Sequence, residues 1–289
     1  MRTMKILAYT TTALLFLSLF TACEIVKNPY PTQENVITEG IVFDTVTSTP
    51  NTTYRSVLIE EFTGHKCTNC PDGAAEIARI DSIYGDTVIP VSLHAGYFAL
   101  PDPPGSGMYE EDFTTDLGEA FNTQFGVAAY PAGMVSRIQV AGNYVLTKTQ
   151  WEPAVQQIKN DQPLVAINLT NLYNDSVRSL KVLVDIEWLQ TASSSYNLQV
   201  YLIEDHIIAW QKNGPVDDPN YDHRHVFRKD LNGIWGTSIP TSAQGDTLHQ
   251  EFTTNVNAEY KSKNCMVVAL IYDVNTYEVI QATEAHIMH

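Results

Sequence analysis

Two cysteines in a C-x-x-C pattern, Cys67 and Cys70, stand between an apolar run and a helix-forming stretch. Val57-Leu58-Ile59 opens a buried strand, a short turn follows, and Pro71 to Tyr84 carries the pattern of a helix. That order puts Cys67 at a helix N-terminus, where the macrodipole and free N–H groups favour a thiolate. His65 and Lys66 sit beside it and would add positive potential. Cys70, one turn inside, would be the shielded thiol, suited to attack a mixed disulfide from within. Zinc would normally require a second pair at ribbon spacing, and haem attachment a histidine where Pro71 stands, so no metal or cofactor is implied.

Other residue types bear on the same region. By strand alternation Glu61 shares a face with Val57 and Ile59, where a carboxylate is costly unless it has a use. A solvent-facing place at the strand end is the alternative, and Glu60, on the other face, is its rival. His94 closes the apolar strand Val88 to Leu93 and could tune the thiols or touch a substrate. Asp217, Asp218, Asp222, His223 and His225 form a polar cluster in which the two histidines would share a strand face. Surface residues flanking a strand explain that cluster equally well. Cys265 falls within the apolar run Cys265 to Leu270 and reads as a buried, inert thiol.

The elements that must hold these residues fall into two groups. Helical stretches at Pro71 to Tyr84, Asp116 to Phe125 and Lys148 to Lys159 alternate with strands at Val57, Val88 to Leu93 and Ala132 to Val140. This is the pattern of an α/β domain over 56–161. Beyond Pro163 the helical signal disappears. About seven short apolar runs separated by polar turns suggest an all-β, immunoglobulin-like sandwich over 162–289.

The N-terminus addresses the chain to the cell envelope. Arg2 and Lys5 precede an uncharged apolar run, Ile6 to Phe20, shorter than a membrane span, and Thr21-Ala22-Cys23 follows. This resembles the lipobox of bacterial lipoproteins, which implies a signal peptide over 1–22 and acylation, palmitate included, at Cys23. Residues 23–55, rich in Thr, Pro and Asn, read as a lipidated tether, with Thr45 the best of several O-glycosylation-like triplets. In the oxidising space beyond the inner membrane, Cys67 and Cys70 can form a disulfide. The formal charge is −16, and loss of Arg2 and Lys5 with the signal takes it to −18. Such a surface repels nucleic acid, so the lipid must hold the protein on its membrane.

Strand, C-x-x-C and helix together resemble the thioredoxin superfamily. The resemblance implies that Glu61, six residues before Cys67, is the buried acid that takes the proton from Cys70. It also implies that Pro131, in Tyr130-Pro131, is cis and packs on the disulfide, with Tyr130 offering backbone groups to an extended substrate. Lys66 stands where thioredoxins have Trp, and Thr68-Asn69 where they have Gly-Pro, which leaves the direction of exchange open. A narrower resemblance rests on three segments: Glu60-Glu61-Phe62-Thr63-Gly64 before the C-x-x-C-P, Tyr130 to Arg137, and His225-Val226-Phe227-Arg228 with Trp235-Gly236. These are similar to the Bacteroidetes outer-membrane lipoprotein family named for a twenty-eight-kilodalton protein, which joins a thioredoxin-like domain to a β-rich one.

Two functions follow as expectations. One is thiol-disulfide exchange on exported proteins or peptides at the outer membrane, Cys67 attacking and Cys70 resolving. The other is a binding protein, an adhesin or an accessory of an outer-membrane complex, in which Cys67–Cys70 is a fixed staple. The absence of an acidic run after Cys23 favours the periplasmic leaflet.

Overall fold

Runs of Val, Ile, Leu and Tyr make strands the main regular structure among the described residues. The computed structural model describes residues 42–240 and 242–289. The signal peptide, Cys23 and the tether as far as residue 41 lie outside the described residues.

The elements, in chain order, begin with β1 (Asp44–Thr47), β2 (Val57–Thr63), α1 (Cys70–Tyr84), β3 (Val88–His94), α2 (Asp116–Gln124), β4 (Ala132–Val135) and α3 (Lys148–Ile158). Among the described residues, strands then follow without another α-helix: β5 (Val165–Asn174), β6 (Ser179–Trp188), β7 (Tyr196–Glu204), β8 (Ile207–Asn213) and β9 (Val216–His223). The last are β10 (Val226–Asp230), β11 (Thr237–Ile239), β12 (Thr247–Asn255), β13 (Cys265–Asp273) and β14 (Val279–His286).

The described residues are β-rich and form three sheets. One runs β14-β13-β7-β10-β3-β2-β4, with β11 paired to β7; a second runs β1-β5-β6-β12; β8 and β9 pair only with each other. The first two sheets share a core in which Val165, Ile167, Val184 and Trp188 meet Leu198, Val200, Val267 and Ile271. On the other side, α1 and α3 pack Ile77, Ile80, Trp151 and Val155 against Val57, Ile59 and Val135. In α1 the buried positions are Cys70, Gly73, Ile77 and Ile80, one stripe at helical spacing. Pro71 in the first turn and Gly85 at the C-cap, φ 51°, bound the helix.

Two expectations about domain limits are corrected. The tether does not run to residue 55, because β1 pairs antiparallel with β5, Asp44 opposite Tyr173 and Thr47 opposite Thr170. Nor does a domain boundary fall at 161/162. β3 takes β2 as a parallel partner on one edge and β10, from the C-terminal half, on the other, with Val226 opposite Ser92. Residues 42–289 form one compact unit. The cause is pairing: the edge of β3 away from β2 leaves backbone groups without partners, and the chain entering β10 meets it there, Ser92 N donating to His225 O at 2.8 Å.

A buried ion pair crosses the same join. Arg137, just after β4, donates from Nε and Nη2 to Glu60 of β2 at 2.7 and 2.8 Å, and from Nη2 to Gln199 and Tyr201 of β7. Both charged side chains are out of solvent, and the guanidinium lies over the rings of Phe121 and Tyr272. Glu60 is thereby excluded as the rival to Glu61, since its oxygens are committed to Arg137.

Candidate functional site

β2 delivers the chain to Gly64, the turn follows, and α1 starts at Cys70. Cys67 and Cys70 are joined as a disulfide, Cα–Cα 5.4 Å. The Tyr130–Pro131 bond is cis, and Pro131 leads into β4. Gly73 in the first turn of α1 ties these parts together. A Cβ there would meet a carboxyl oxygen of Glu61 and stand 2.8 Å from Pro131 Cβ, so only glycine admits both neighbours. Cys70, Glu61, Pro131 and the start of α1 are therefore one locus. Tyr130 lies at its edge, its hydroxyl bonded to Asn122 and its ring 5.9 Å from Phe98.

Glu61 is the electrostatically unusual group. It is 1% exposed, Ser92 Oγ donates to its Oε2 at 3.4 Å, and Oε1 has no hydrogen-bond partner. Loss of hydration pushes its pKa up to about 8, opposed only by the Ser92 hydroxyl. Glu61, Cys70, His94 and His223 line one cavity of about 20 Å³, the size of a single water. The alternative of a solvent-facing Glu61 is thus overturned.

A stability consequence follows. The unfolded chain loses the Glu61 proton near the ordinary carboxyl range, whereas the folded chain keeps it until about pH 8. Folding stability therefore falls across that window, by at most about 1.4 kcal/mol per pH unit, and levels off above it. Glu61→Gln removes the dependence. Urea denaturation should find the variant close to the parent at pH 5 and roughly 2–4 kcal/mol more stable at pH 8.5. A gain that does not grow with pH would contradict a neutral buried Glu61.

The histidines and the lysine do not act as their sequence positions suggest. His94 is buried between Phe113 and His223, with neither ring nitrogen bonded, so it does not face a substrate at the surface. Burial first, then His223, His65 and Arg228, hold its pKa well below the usual value. His65 is fully buried and its pKa is lowered by burial, so it adds no positive charge at neutral pH. Lys66 pairs with Asp102, which answers its charge. His223 and His225 do not share a strand face: β9 ends at His223, whose pKa burial lowers to about 4, and His225 sits at φ 55° beside Asp205. Asp217 is bonded to Tyr109 and Lys212, and Asp222 to His206. Cys265 is free and fully buried, and burial pushes its thiol up to about 12.

The expectation of an exposed Cys67 beside a shielded Cys70 is also corrected. They are 3% and 2% exposed, whereas Thr68 and Asn69 between them face solvent. The cover is the β8–β9 hairpin. Lys212 N donates to His65 O at 2.7 Å, Gly214 N to Thr68 O at 3.2 Å, and Gln211 Nε2 to Cys67 O at 3.1 Å. Sequence reasoning missed these residues because β9, Val-Asp-Asp-Pro-Asn-Tyr-Asp-His, has no apolar alternation. The one signal was Asn213-Gly214, a hairpin-turn dipeptide.

A model of the outer membrane protein Omp28 family matches residues 118–289. The chain belongs to the Omp28 family. That makes it an outer-membrane protein of the cell envelope. HBP35 of Porphyromonas gingivalis superposes with a TM-score of 0.61 at 18% identity, over 81% of this chain and 75% of that one. A protein of Agrobacterium tumefaciens superposes at 0.50 with 11% identity, over 81% of this chain and 95% of that one. A domain of the outer membrane lipoprotein Omp28 of Porphyromonas gingivalis is 25% identical over 44% of this chain and 89% of its own length, with a TM-score of 0.33. The likeness to HBP35 and to the Agrobacterium protein is one of fold. Among curated proteins, none matches this sequence.

Proposed function

We propose that this Omp28-family member is an outer-membrane lipoprotein, anchored through Cys23, that exchanges thiols and disulfides with exported proteins through Cys67 and Cys70. In this reading residues 56–161 carry a thioredoxin-like arrangement, joined through the shared sheet to an immunoglobulin-like packing of the later strands that presents it to partners. The periplasmic leaflet is the favoured face.

The observation that carries the proposal is Glu61. A buried carboxyl with an unpartnered oxygen costs stability. It opens on the same small cavity as Cys70 and is poised to pass a proton near neutral pH. In the oxidising direction a substrate thiolate attacks Cys67 Sγ. The Cys67–Cys70 bond breaks, its electron pair leaves on Cys70 Sγ, and Glu61 supplies the proton. A second substrate thiolate then displaces Cys67, leaving the substrate disulfide and a reduced Cys67/Cys70 pair. The reducing direction runs the same steps backwards, with the Glu61 carboxylate accepting the Cys70 proton.

A second reading, a binding protein with Cys67–Cys70 as a staple, is favoured by the burial of both sulfurs. Equilibration of the whole soluble chain with glutathione or dithiothreitol buffers separates the two. Exchange requires a reduction potential between about −270 and −120 mV, whereas a structural disulfide lies below about −300 mV.

A further inference from the structure

Four backbone carbonyls around the disulfide accept hydrogen bonds from one element. Carbonyls of Gly64, His65, Cys67 and Thr68 all accept from the β8–β9 hairpin, through Lys212 N, Gly214 N and the Gln211 side chain. The two cysteines are closed to solvent beneath it.

The hairpin is attached in a way that permits it to lift. Its strands join neither larger sheet. Its base is held by a small apolar cluster of Phe113, Ala209 and Val226 with Ile207. Its tip is tied to the rest of the chain through a polar side-chain contact, Tyr109 Oη donating to Asp217 at 2.5 Å, while the Lys212–Asp217 pair at 3.0 Å lies within the hairpin itself. Along β9 only His223 is buried. An element anchored by apolar contacts at one end and by a few exchangeable hydrogen bonds at the other opens locally at less cost than global unfolding.

We propose that the loop 64–68 is a docking edge for an extended polypeptide, that the β8–β9 hairpin is its intramolecular occupant, and that exchange at Cys67 requires the hairpin to be displaced by the substrate strand. This rests on the exchange reading of Cys67–Cys70 and adds the substrate class. The edge presents carbonyls in a row and already accepts the N–H groups of Lys212 and Gly214, the mode by which a strand is added to an open edge. Beyond it lies an apolar landing: Tyr97, Phe98, Leu100 and Met108 are exposed within twelve residues, and Lys66 N bonds to Phe98 O. Val216 at the hairpin tip is exposed as well. The partner that fits is an extended, apolar-aromatic segment carrying a cysteine, as an incompletely folded exported protein would offer.

The test is the rate of disulfide reduction in the otherwise intact soluble chain, at fixed thiolate concentration. Gln211→Ala, which removes the side-chain bonds to Cys67 O and Gly64 O, should speed reduction by dithiothreitol roughly tenfold. Tyr109→Phe, which removes the bond from Tyr109 to Asp217 at the tip, should speed it severalfold, and the pair should exceed either alone. In the parent protein, a cysteine-bearing peptide of alternating valine and tyrosine should react faster than glutathione, because it can replace the hairpin's hydrogen bonds. Hydrogen exchange needs no variant: the Lys212 and Gly214 amides should exchange at least tenfold faster than those of β7 and β13. Unchanged rates in both variants, equal rates for peptide and glutathione, or exchange as slow as in β13 would each overturn the proposal. The potential fails separately: a hairpin that opens over a disulfide of structural potential leaves the gate intact and removes the exchange reading.

Discussion

Replacing Arg137 with methionine should cost about 3–5 kcal/mol of folding stability, read as a fall in the urea midpoint. The guanidinium is fully buried, and its removal strands Glu60, also fully buried, without a counter-charge or its two hydrogen bonds. The cost is that of an uncompensated carboxylate in the core, not the net worth of the pair. The double variant Glu60→Gln with Arg137→Met should therefore regain much of the loss. The partners of Arg137 come from β2 and β7, on either side of the expected domain boundary. Far-UV circular dichroism and tryptophan fluorescence should accordingly report one coincident transition, since Trp151 and Trp188 belong to different halves of the chain but to one unit. Two separated transitions would show that the shared sheet does not couple the halves.

Local structure was legible where periodicity is strong. The stripe Cys70, Gly73, Ile77 and Ile80 announces α1, and the uninterrupted apolar run Val88 to Leu93 announces β3. The run Tyr196 to Ile208 reads as one strand, but His206 takes φ 55° and breaks it into β7 and β8. That break sends the hairpin towards the cysteines, and no apolar pattern encodes where it lands. The strand-like stretch Ala132 to Val140 is likewise shorter than its composition suggests, because Ser136 and Arg137 both adopt positive φ.

Long-range pairing was the least legible. Glu61 shows its buried face by alternation with Val57 and Ile59. What occupies the far side of its cavity, His223 and Arg224 from the C-terminal half, depends on β10 reaching β3 across more than a hundred residues. The same docking neutralises His65 by burial and closes Cys67. A C-x-x-C read from its own neighbours therefore looks open and cationic, and in the folded chain it is closed, with its nearest lysine already paired.

Cys70→Ala in the native envelope should accumulate mixed disulfides with exported proteins, and Cys67→Ala should accumulate none. If Cys67 is the sulfur that bonds to the substrate, removing Cys70 leaves the first covalent intermediate without the thiol that resolves it. Removing Cys67 leaves only Cys70, which is the first residue of α1 and is walled by Glu61, His94 and His223. Cys265 does not confuse the result: it is fully buried and its thiol is raised to about 12, so it supplies almost no thiolate. Bands that appear on non-reducing gels with Cys70→Ala and collapse on reduction are the expected outcome. Adding Gln211→Ala to Cys70→Ala should increase their yield, because the docking edge is then less firmly occupied. The staple reading predicts no bands from either cysteine variant, and about 2–4 kcal/mol of lost stability from both alike. A folded, membrane-retained Cys70→Ala protein that captures nothing would leave Glu61 without a proton to move, and the binding function would be the one to pursue.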